Sequence, residues 1–260
     1  MEDSFSVRVK IETATKAVKK PVQRQTALCG LFLSQSSVKG SAKVIKVPER
    51  LAELVIQLFE AENIKCSYKN GKVILEDIYT SNLWERCEEL LSGFANGTLT
   101  VEDARRFLRG AFWGCGYCTD PSKSYRIEFV VKEPENATLI SAALDVLSIK
   151  HVRAERKGSF ALYFKNGDDV SDFLSYIGSP SAMMEFENIR AEKTSTARSP
   201  EPLTATREIP SARPKPLPTE TNLLPRLWSR ASQANSLPSS AKQQRHTWKI
   251  RVRHWQNWVP

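Results

Sequence analysis

The sequence predicts an α+β fold made of two similar halves, related by an approximate two-fold axis and packed through one helix from each half. Residues 107–116 are apolar and carry Gly110 and Gly114 at small-residue spacing inside a predicted helix. Residues 25–36 have the same build, with Gly30 in the position of Gly110. Each of these helices is followed by an amphipathic helix and a hairpin in the same order. This order indicates an internal repeat of two helix–hairpin–helix–hairpin halves.

The glycines predict where the two halves meet. A glycine inside a helix costs about 0.5–1 kcal/mol relative to alanine, so repeated glycines need a structural reason. The favoured reason is that two helix backbones approach more closely than the usual separation of about 8–10 Å between axes. We therefore expect Gly30, Gly110 and Gly114 to form the seam between these helices. Thr100 begins the second of them, with two acidic residues in its first turn.

The repeat continues through the elements that follow each glycine helix. Those elements are a helix at 48–62 and a hairpin at 65–77, and then a helix at 134–147 and strands at 150–156 and 159–164. The hairpins turn at Asn70-Gly71 and at Lys157-Gly158. The offset between the copies is about 80 residues at the first helix and about 85–86 at the second. Four elements in the same order argue against coincidence.

The other predicted elements complete the two halves. They are a lead-in helix or strand at 1–12, the first glycine helix within 13–36, a short strand pair around Gly40 at 37–47, an amphipathic helix at 82–91, a linker at 93–97, the second glycine helix at 101–116, a strand at 124–131, and helices at 168–177 and 181–189. We divide the chain into a first half at 1–97, a second half at 98–193 and a tail at 194–260.

The net charge of +9 belongs to the tail and not to the folded part. Residues 194–260 hold 11 Lys/Arg and 3 Asp/Glu, which leaves 27 and 26 for residues 1–193. The tail also has nine of the 14 prolines and four of the six tryptophans. This composition predicts disorder. Its Trp and Arg cluster at 248–258 has the composition of a nucleic-acid or membrane contact.

The cysteines and the absence of a long apolar run predict an intracellular, cytoplasmic protein. The five cysteines are odd in number and scattered, which is typical of a reducing compartment, and we find no signal peptide or membrane-spanning run. Cys115 and Cys118 form the one C-x-x-C. A zinc site needs about four ligands, and no second pair or histidine cluster accompanies this one. Packed thiols are therefore the preferred interpretation over zinc or redox chemistry, and no metal or cofactor is expected.

The second half resembles the WhiA family of bacterial regulators of sporulation and cell division. The strongest likeness is the run RFLRGAFWGCGYCTDPSKSYRIE at 106–128, and shorter stretches at 154–158, 173–178 and 185–190 add to it. The resemblance covers about residues 1–193, weakly before residue 100 and specifically after it. It implies a degenerate LAGLIDADG homing-endonuclease fold, and DNA binding in transcriptional control without catalysis.

The positions of the catalytic acids argue against a nuclease. A working homing endonuclease presents an acid at the end of each glycine helix, and the two acids bind the divalent metal ions that cleavage requires. Aligned on the glycines, these positions hold Gln35 in the first half and Cys115 in the second. Asp120 lies further on, and one acid could not serve two strands. A metal-dependent nuclease is therefore the least favoured alternative.

The tail does not resemble the helix-turn-helix domain that follows in this family. Read one frame over, residues 247–260 become compatible with met-glu-asn-pro-gly-ala-ser-leu-ala-glu-leu-gly-ala, which resembles the entry to that domain. Residues 236–244 and 203–209 give two further family-like stretches in the right order. We therefore expect a one-nucleotide slip near Lys193, after which the composition of the tail carries no selected meaning. Resequencing the locus tests this, because an intact second frame supports the slip.

The resemblance also implies that the hairpins approach the DNA major groove. The candidate DNA-binding residues are Lys65, Lys69 and Lys72 on the first hairpin, and Lys150, Arg153, Arg156 and Lys157 on the second. Strand alternation puts Arg153 opposite in face to Val152 and Ala154, as a solvent-facing binding surface requires. Ordinary solvated hairpins remain an open alternative, because acidic residues lie among these cations. We expect residues 1–193 alone to bind DNA weakly, and sub-micromolar binding at physiological salt would contradict this.

The sequence thus favours a non-catalytic, nucleoid-associated regulator of transcription in sporulation and cell division. Its expected partners are double-stranded DNA, bound weakly in this form, and a protein of transcription or division, with no membrane. The main alternative is a protein-interaction scaffold that does not bind DNA.

Overall fold

A computed structural model describes residues 3–16, 21–35, 43–76, 78 and 81–197. Its elements are α1 (Phe5–Lys16), α2 (Pro21–Leu33), β1 (Lys43–Lys46), α3 (Glu49–Glu60), β2 (Cys66–Lys69), β3 (Lys72–Leu75), α4 (Asn82–Asn96), α5 (Val101–Cys115), β4 (Gly116–Cys118), β5 (Ile127–Val131), α6 (Pro134–Val146), β6 (Val152–Arg156), β7 (Ser159–Phe164), α7 (Gly167–Tyr176) and α8 (Pro180–Ala197). The predicted α+β class is confirmed.

Two antiparallel sheets carry the same strand arrangement. The first sheet has the order β1-β3-β2, and the second has the order β4-β5-β7-β6. The first order corresponds to β5-β7-β6, so in each half the strand that precedes the second helix, β1 or β5, lies beside the second strand of the hairpin. The counterpart of β4 would fall within residues 36–42, which lie outside the described residues.

The backbone repeats itself at the turns as well. Asn63 and Ser148, which follow the first helix after each glycine helix, both adopt a left-handed conformation with φ of 59° and 58°. The hairpin turns Asn70-Gly71 and Lys157-Gly158 have positive φ at both positions. Such pairs are typical of type I′ turns, whose twist matches that of the flanking strands. The two halves therefore share local geometry as well as element order.

The helices α2 and α5 cross at the glycines with their backbones in direct contact. A Cβ atom added at Gly110 would lie 1.6 Å from the carbonyl oxygen of Ala27, and one at Gly30 would lie 2.0 Å from that of Phe107. At Gly114 the nearest atom is Nε2 of Gln35, also at 2.0 Å. Only glycine fits at the first two positions, because the obstructing atoms belong to the backbone of the other helix.

The core surrounds this crossing. The side chains of Phe107, Phe112 and Trp113 on α5 are fully buried, together with Phe129 on β5. The indole N–H of Trp113 donates to Oγ1 of Thr13 at 2.9 Å, which connects α5 to α1. The amphipathic faces of α3 and α4 add further buried leucine and aromatic side chains.

Two polar contacts join helices that are distant in sequence. The Glu12 carboxylate of α1 accepts hydrogen bonds from Ser179 and from the backbone N–H of Ser181, at the start of α8. On α4, Arg86 donates to the Asp103 carboxylate of α5 at 2.5 Å and to Oγ1 of Thr26 of α2 at 3.1 Å.

Several predicted boundaries differ from the structure. The predicted linker at 93–97 is wrong, since α4 continues through Gly93 to Asn96 and Gly97 caps it with φ of 68°. Strand β4 was not predicted. Helix α8 extends to Ala197, so residues 194–197 are helical where the tail was expected to begin. The rest of the tail, Gly40 and its neighbours at 36–42 lie outside the described residues.

Candidate nucleic-acid interface

The outer face of the first sheet, defined as the face turned away from the helices, carries three lysines side by side. Lys46 on β1 pairs with Lys72 on β3, and Lys72 pairs with Lys69 on β2. Directly opposed residues of an antiparallel pair project to the same face with Cβ atoms about 4.5–5.5 Å apart. The lysine row, Lys46, Lys72 and Lys69, therefore crosses all three strands.

The inner face of this sheet is buried against the helices. Ile45, Val73 and Leu75 are at most 1% exposed. On the outer face, Val44 is 44% exposed, and the three lysines are exposed as well. The alternation of burial along β1 and β3 thus fixes the lysine row on the solvent side.

Charge makes the lysine row unusual. None of the three ammonium groups forms an ion pair with an acid among the described residues. Like charges placed directly opposite on neighbouring strands destabilise a sheet. The Cβ spacing of neighbouring members is also shorter than the Debye length of about 8 Å at physiological ionic strength, so salt screens this repulsion incompletely. A bound polyanion would relieve it.

Edge protection explains only part of the lysine row. Lysines on edge strands hinder unwanted pairing between sheets, and β1 and β2 are the outermost strands of the first sheet among the described residues. That reason accounts for Lys46 and Lys69. It does not account for Lys72, which lies on the central strand between them.

Lys65 lies away from the lysine row. Its carbonyl accepts a hydrogen bond from the backbone N–H of Glu76 at 3.0 Å, at the end of the hairpin opposite the turn. Four residues of strand separate it from Lys69, about 13 Å at the usual rise. Of the three candidates on the first hairpin, the structure therefore brings together Lys69 and Lys72, with Lys46 as a member that the sequence did not reveal.

The predicted orientation of Arg153 on the second hairpin is wrong. Arg153 pairs with Leu162, a fully buried residue of β7, so it projects to the helix side of the second sheet. Its guanidinium donates to Oγ1 of Thr138 at 3.3 Å and to the carbonyl of Pro134 at 3.4 Å, both on α6. Although exposed, this side chain is engaged in fastening β6 to α6.

The other cations of the second hairpin are dispersed. Arg156 pairs with Ser159 on the outer face, and Lys157 occupies the turn with φ of 48°. Lys150 precedes β6 near Asp169 of α7. Burial raises the pKa of that carboxyl and Asp172 adds to the effect, while Lys150 opposes both. No cross-strand row of cations forms on this hairpin.

The helix ends where an endonuclease carries its acids have other contacts. The Gln35 side-chain amide donates to the carbonyl of Lys46 at 2.8 Å and accepts from its N–H at 2.9 Å, so it fastens the end of α2 to β1. Cys115 donates to the carbonyl of Ala111 at 3.2 Å. Burial raises the pKa of its thiol to about 12, although a hydrogen bond with Ser34 and the charge of Lys10 oppose the shift.

Neither group is suited to bind a hard cation. An amide engaged with the backbone and a neutral thiol lack the carboxylate oxygens that magnesium requires. Asp120 is engaged in its own loop, where it accepts from the N–H and Oγ of Ser122. In the part of the chain that the structure describes, no group of three or more His, Cys, Asp or Glu side chains is arranged to hold a metal ion.

The C-x-x-C sequence forms no paired-thiol site. Cys118 donates to the carbonyl of Thr119, and burial raises the pKa of its thiol to about 12, as it does for Cys115. Both thiols are neutral at physiological pH and interact with neighbouring carbonyl groups.

The elements from α5 to α8 carry the likeness to a known family model. Residues 104–195 match the family model of the WhiA LAGLIDADG-like domain. The chain carries a WhiA LAGLIDADG-like domain. A probable cell division protein WhiA of Alkaliphilus metalliredigens is 39% identical over 89 residues, which cover 34% of this chain and 28% of that relative. The chain spans about 28–30% of the length of the first curated WhiA relatives that it matches.

Solved WhiA structures extend the likeness to both halves of the fold. Full-length DUF199/WhiA from Thermotoga maritima aligns with a TM-score of 0.62 and 21% identity, over 74% of this chain and 67% of that one. The N-terminal LAGLIDADG domain of DUF199/WhiA aligns with a TM-score of 0.56 and 19% identity, over 68% of this chain and 94% of that domain. At these identities the likeness shows the fold alone. Within the described ranges, no helix has the length and apolar character to cross a membrane.

Proposed function

We propose that this chain is a non-catalytic, DNA-binding regulator of the WhiA type, acting in transcription during sporulation and cell division. The observation that carries the proposal is the lysine row on the outer face of the first sheet. Three adjacent cations without acidic partners among the described residues are suited to contact the phosphates of a DNA backbone. Phosphate contacts of this kind position a protein on DNA without reading its sequence.

The helix ends support the non-catalytic part of the proposal. In the alignment on the glycines, Gln35 and Cys115 fall where an endonuclease carries its metal-binding acids. Gln35 fastens the end of α2 to β1, and Cys115 donates to a carbonyl of its own helix. A cleavage assay with supercoiled plasmid and Mg²⁺ tests this part, and we expect no nicking.

The lysine row is tested by removing its charge. We compare the full chain with a triple variant, K46Q/K69Q/K72Q, for binding to a fluorescein-labelled 30-base-pair duplex by anisotropy at several salt concentrations. If each lysine neutralises one phosphate, the slope of log K against log salt falls by about 2–3 and the affinity at physiological salt falls at least about tenfold.

The matched control removes three exposed lysines elsewhere. K65Q/K123Q/K132Q changes the net charge by the same amount and lies outside the lysine row. We expect this control to lose less than about threefold in affinity. Equal losses of affinity in the two triple variants would refute a specific role for the lysine row. The net charge of the chain would then account for DNA binding.

The one-nucleotide slip after residue 193 is a separate part of the proposal. On this view residues 194–260 replace a helix-turn-helix domain, and their basic residues have no selected contact with DNA. Nucleotide sequencing across codon 193 tests it, and a second frame interrupted by stop codons would refute it.

A further inference from the structure

We propose that the outer face of the second sheet binds an acidic amphipathic helix of a partner protein. This surface is distinct from the lysine row and goes beyond DNA binding. It consists of the residues of β4, β5, β7 and β6 that point away from the helices. Its exposed side chains are mainly apolar, whereas those of the lysine row are cationic.

The strand register defines this face. One cross-strand row runs Tyr117, Glu128, Tyr163, Val152, and the next runs Val130, Ala161, Ala154. The intervening residues of β5 and β7, including Phe129 and Leu162, are fully buried on the helix side. The two rows therefore share the solvent side of a sheet whose other side is covered by helices.

Large apolar side chains are exposed on this face. Tyr117 is 52% exposed, Val130 49% and Val152 52%, each on a different strand. Ala161, which is only 4% exposed, follows Val130 in the second row, and half-buried Ala154 follows Ala161, so small side chains make the middle of the face flat. A flat apolar strip between larger side chains suits the packing of a helix, and exposed tyrosines are enriched where proteins bind partners.

The charges around the face select an acidic partner. The one acid in the two rows, Glu128, is neutralised by Arg126 at 2.7 Å. The Arg126 guanidinium also lies over the ring of Tyr163, 4.4 Å from its centroid. Arg156, Lys132 and Lys165 lie at the strand ends and form no ion pair with an acid of the described residues. An apolar centre with a basic border fits a helix with an apolar stripe flanked by Asp and Glu.

Nucleic acid fits this face less well. Duplex DNA would bring phosphates against Val130 and the alanines, where no cation is present in the row to replace their hydration. A single strand could stack bases on Tyr117 and Tyr163, but the Glu128 carboxylate lies between these rings in the register. The apolar rows therefore favour a protein segment.

The test uses the full chain and a phage-displayed library of random 16-residue peptides. We expect selection to enrich peptides with a net charge of −3 or lower and apolar residues at helical spacing. Synthetic versions should bind the full chain with micromolar affinity. V130E should weaken them at least about tenfold, by removing apolar contact and repelling the acidic flanks, and Y117S should weaken them severalfold.

V44E is the matched control, because Val44 has similar exposure on the outer face of the first sheet. We expect V44E to change peptide affinity less than about twofold and V130E to leave duplex DNA affinity within about threefold. Circular dichroism melts verify that each variant is folded. The proposal is overturned if no peptides are enriched, if those enriched are neutral or basic, or if V130E and V44E act alike. Displacement of the peptide by a dT12 oligonucleotide, or a tenfold loss of DNA binding in V130E, would assign the face to nucleic acid instead.

Discussion

Replacing Gly110 by alanine tests the closest contact in the fold. The added methyl group would lie 1.6 Å from the carbonyl oxygen of Ala27, 2.6 Å from its carbon and 2.9 Å from the backbone nitrogen of Leu31. All three atoms belong to the backbone of α2, so no side-chain rotation relieves the clash. The two helices must move apart by about 1.4 Å to bring the first contact to 3.0 Å.

The loss of stability follows from the packing contacts between α2 and α5 that this separation breaks. Leu28 and Leu31 on α2 and Ala111 on α5 are fully buried near the crossing, and a gap of this size forfeits much of their dispersion contact. Overpacking alone costs about 1–3 kcal/mol, and alanine returns at most about 1 kcal/mol through helix propensity. Because a backbone obstructs the methyl group and the seam opens along its length, we expect a net loss of about 2–4 kcal/mol. This corresponds to a fall in Tm of about 5–15 °C for a domain of this size.

The assay is urea denaturation followed by circular dichroism, with G93A as the control. Gly93 also lies inside a helix, but a Cβ there would meet nothing closer than Leu99 Cα at 3.7 Å. We expect G93A to raise the free energy of unfolding by about 0.5–1 kcal/mol, because it gains propensity without a clash. If G110A unfolds within about 1 kcal/mol of the parent, the helices do not meet as described and the two-half architecture loses its central contact.

Three further substitutions probe other contacts by the same assay. Burial opposes ionisation of Glu12, but its hydrogen bonds with Lys16, Ser179 and Ser181 outweigh burial and lower the pKa to about 2. E12Q should therefore cost about 1–3 kcal/mol above pH 5, a difference that fades as pH falls from the unfolded value near 4.5 through 2, and a pH-independent difference would refute this reasoning. S148G should raise the free energy of unfolding by up to about 1 kcal/mol, since it relieves a left-handed serine, and a loss of stability would contradict the φ of 58°. R86M loses the hydrogen bonds to the Asp103 carboxylate and the Thr26 hydroxyl, so it should lower the free energy of unfolding by about 1–2 kcal/mol. R8M should lower it clearly less, because its partner Glu185 is at the surface.

The elements that the sequence predicts well are those whose signals are local. The apolar spacing along 49–60 and 134–146 specifies amphipathic helices without reference to the rest of the chain. Turn chemistry at Asn70-Gly71 and Lys157-Gly158 locates both hairpins. Even the closeness of α2 and α5 has a local signal, since two helices with glycines in equivalent places have little other reason to keep them.

The errors arise where tertiary contacts override local signals. Gly93 suggested a linker, yet α4 tolerates it and ends at Gly97, whose left-handed conformation supplies the cap. Strand β4 holds three residues and exists because β5 pairs with it, so no propensity within Gly116–Cys118 could reveal it.

The candidate site shows a related limit. Alternation along β6 correctly places Arg153 and Val152 on opposite faces. It does not say which of the two faces is covered by helices. Which face the helices cover is decided by α6, to which Arg153 is bonded. Lys46 escaped attention because β1 has only four residues, and its place beside Lys72 depends on a pairing that joins segments far apart in sequence.

The two outer faces show how one architecture can diverge. The strands β1-β3-β2 and β5-β7-β6 have the same order, and their inner faces are buried alike because both must cover helices. The outer faces are free of that constraint. The outer face of the first sheet carries Lys46, Lys72 and Lys69 in a row, whereas that of the second carries the row Val130, Ala161 and Ala154. A duplex lying across both sheets would need cations on each to replace the hydration of its phosphates. Because the second sheet offers an apolar surface there, we assign the polyanion to the first sheet and the acidic amphipathic helix to the second.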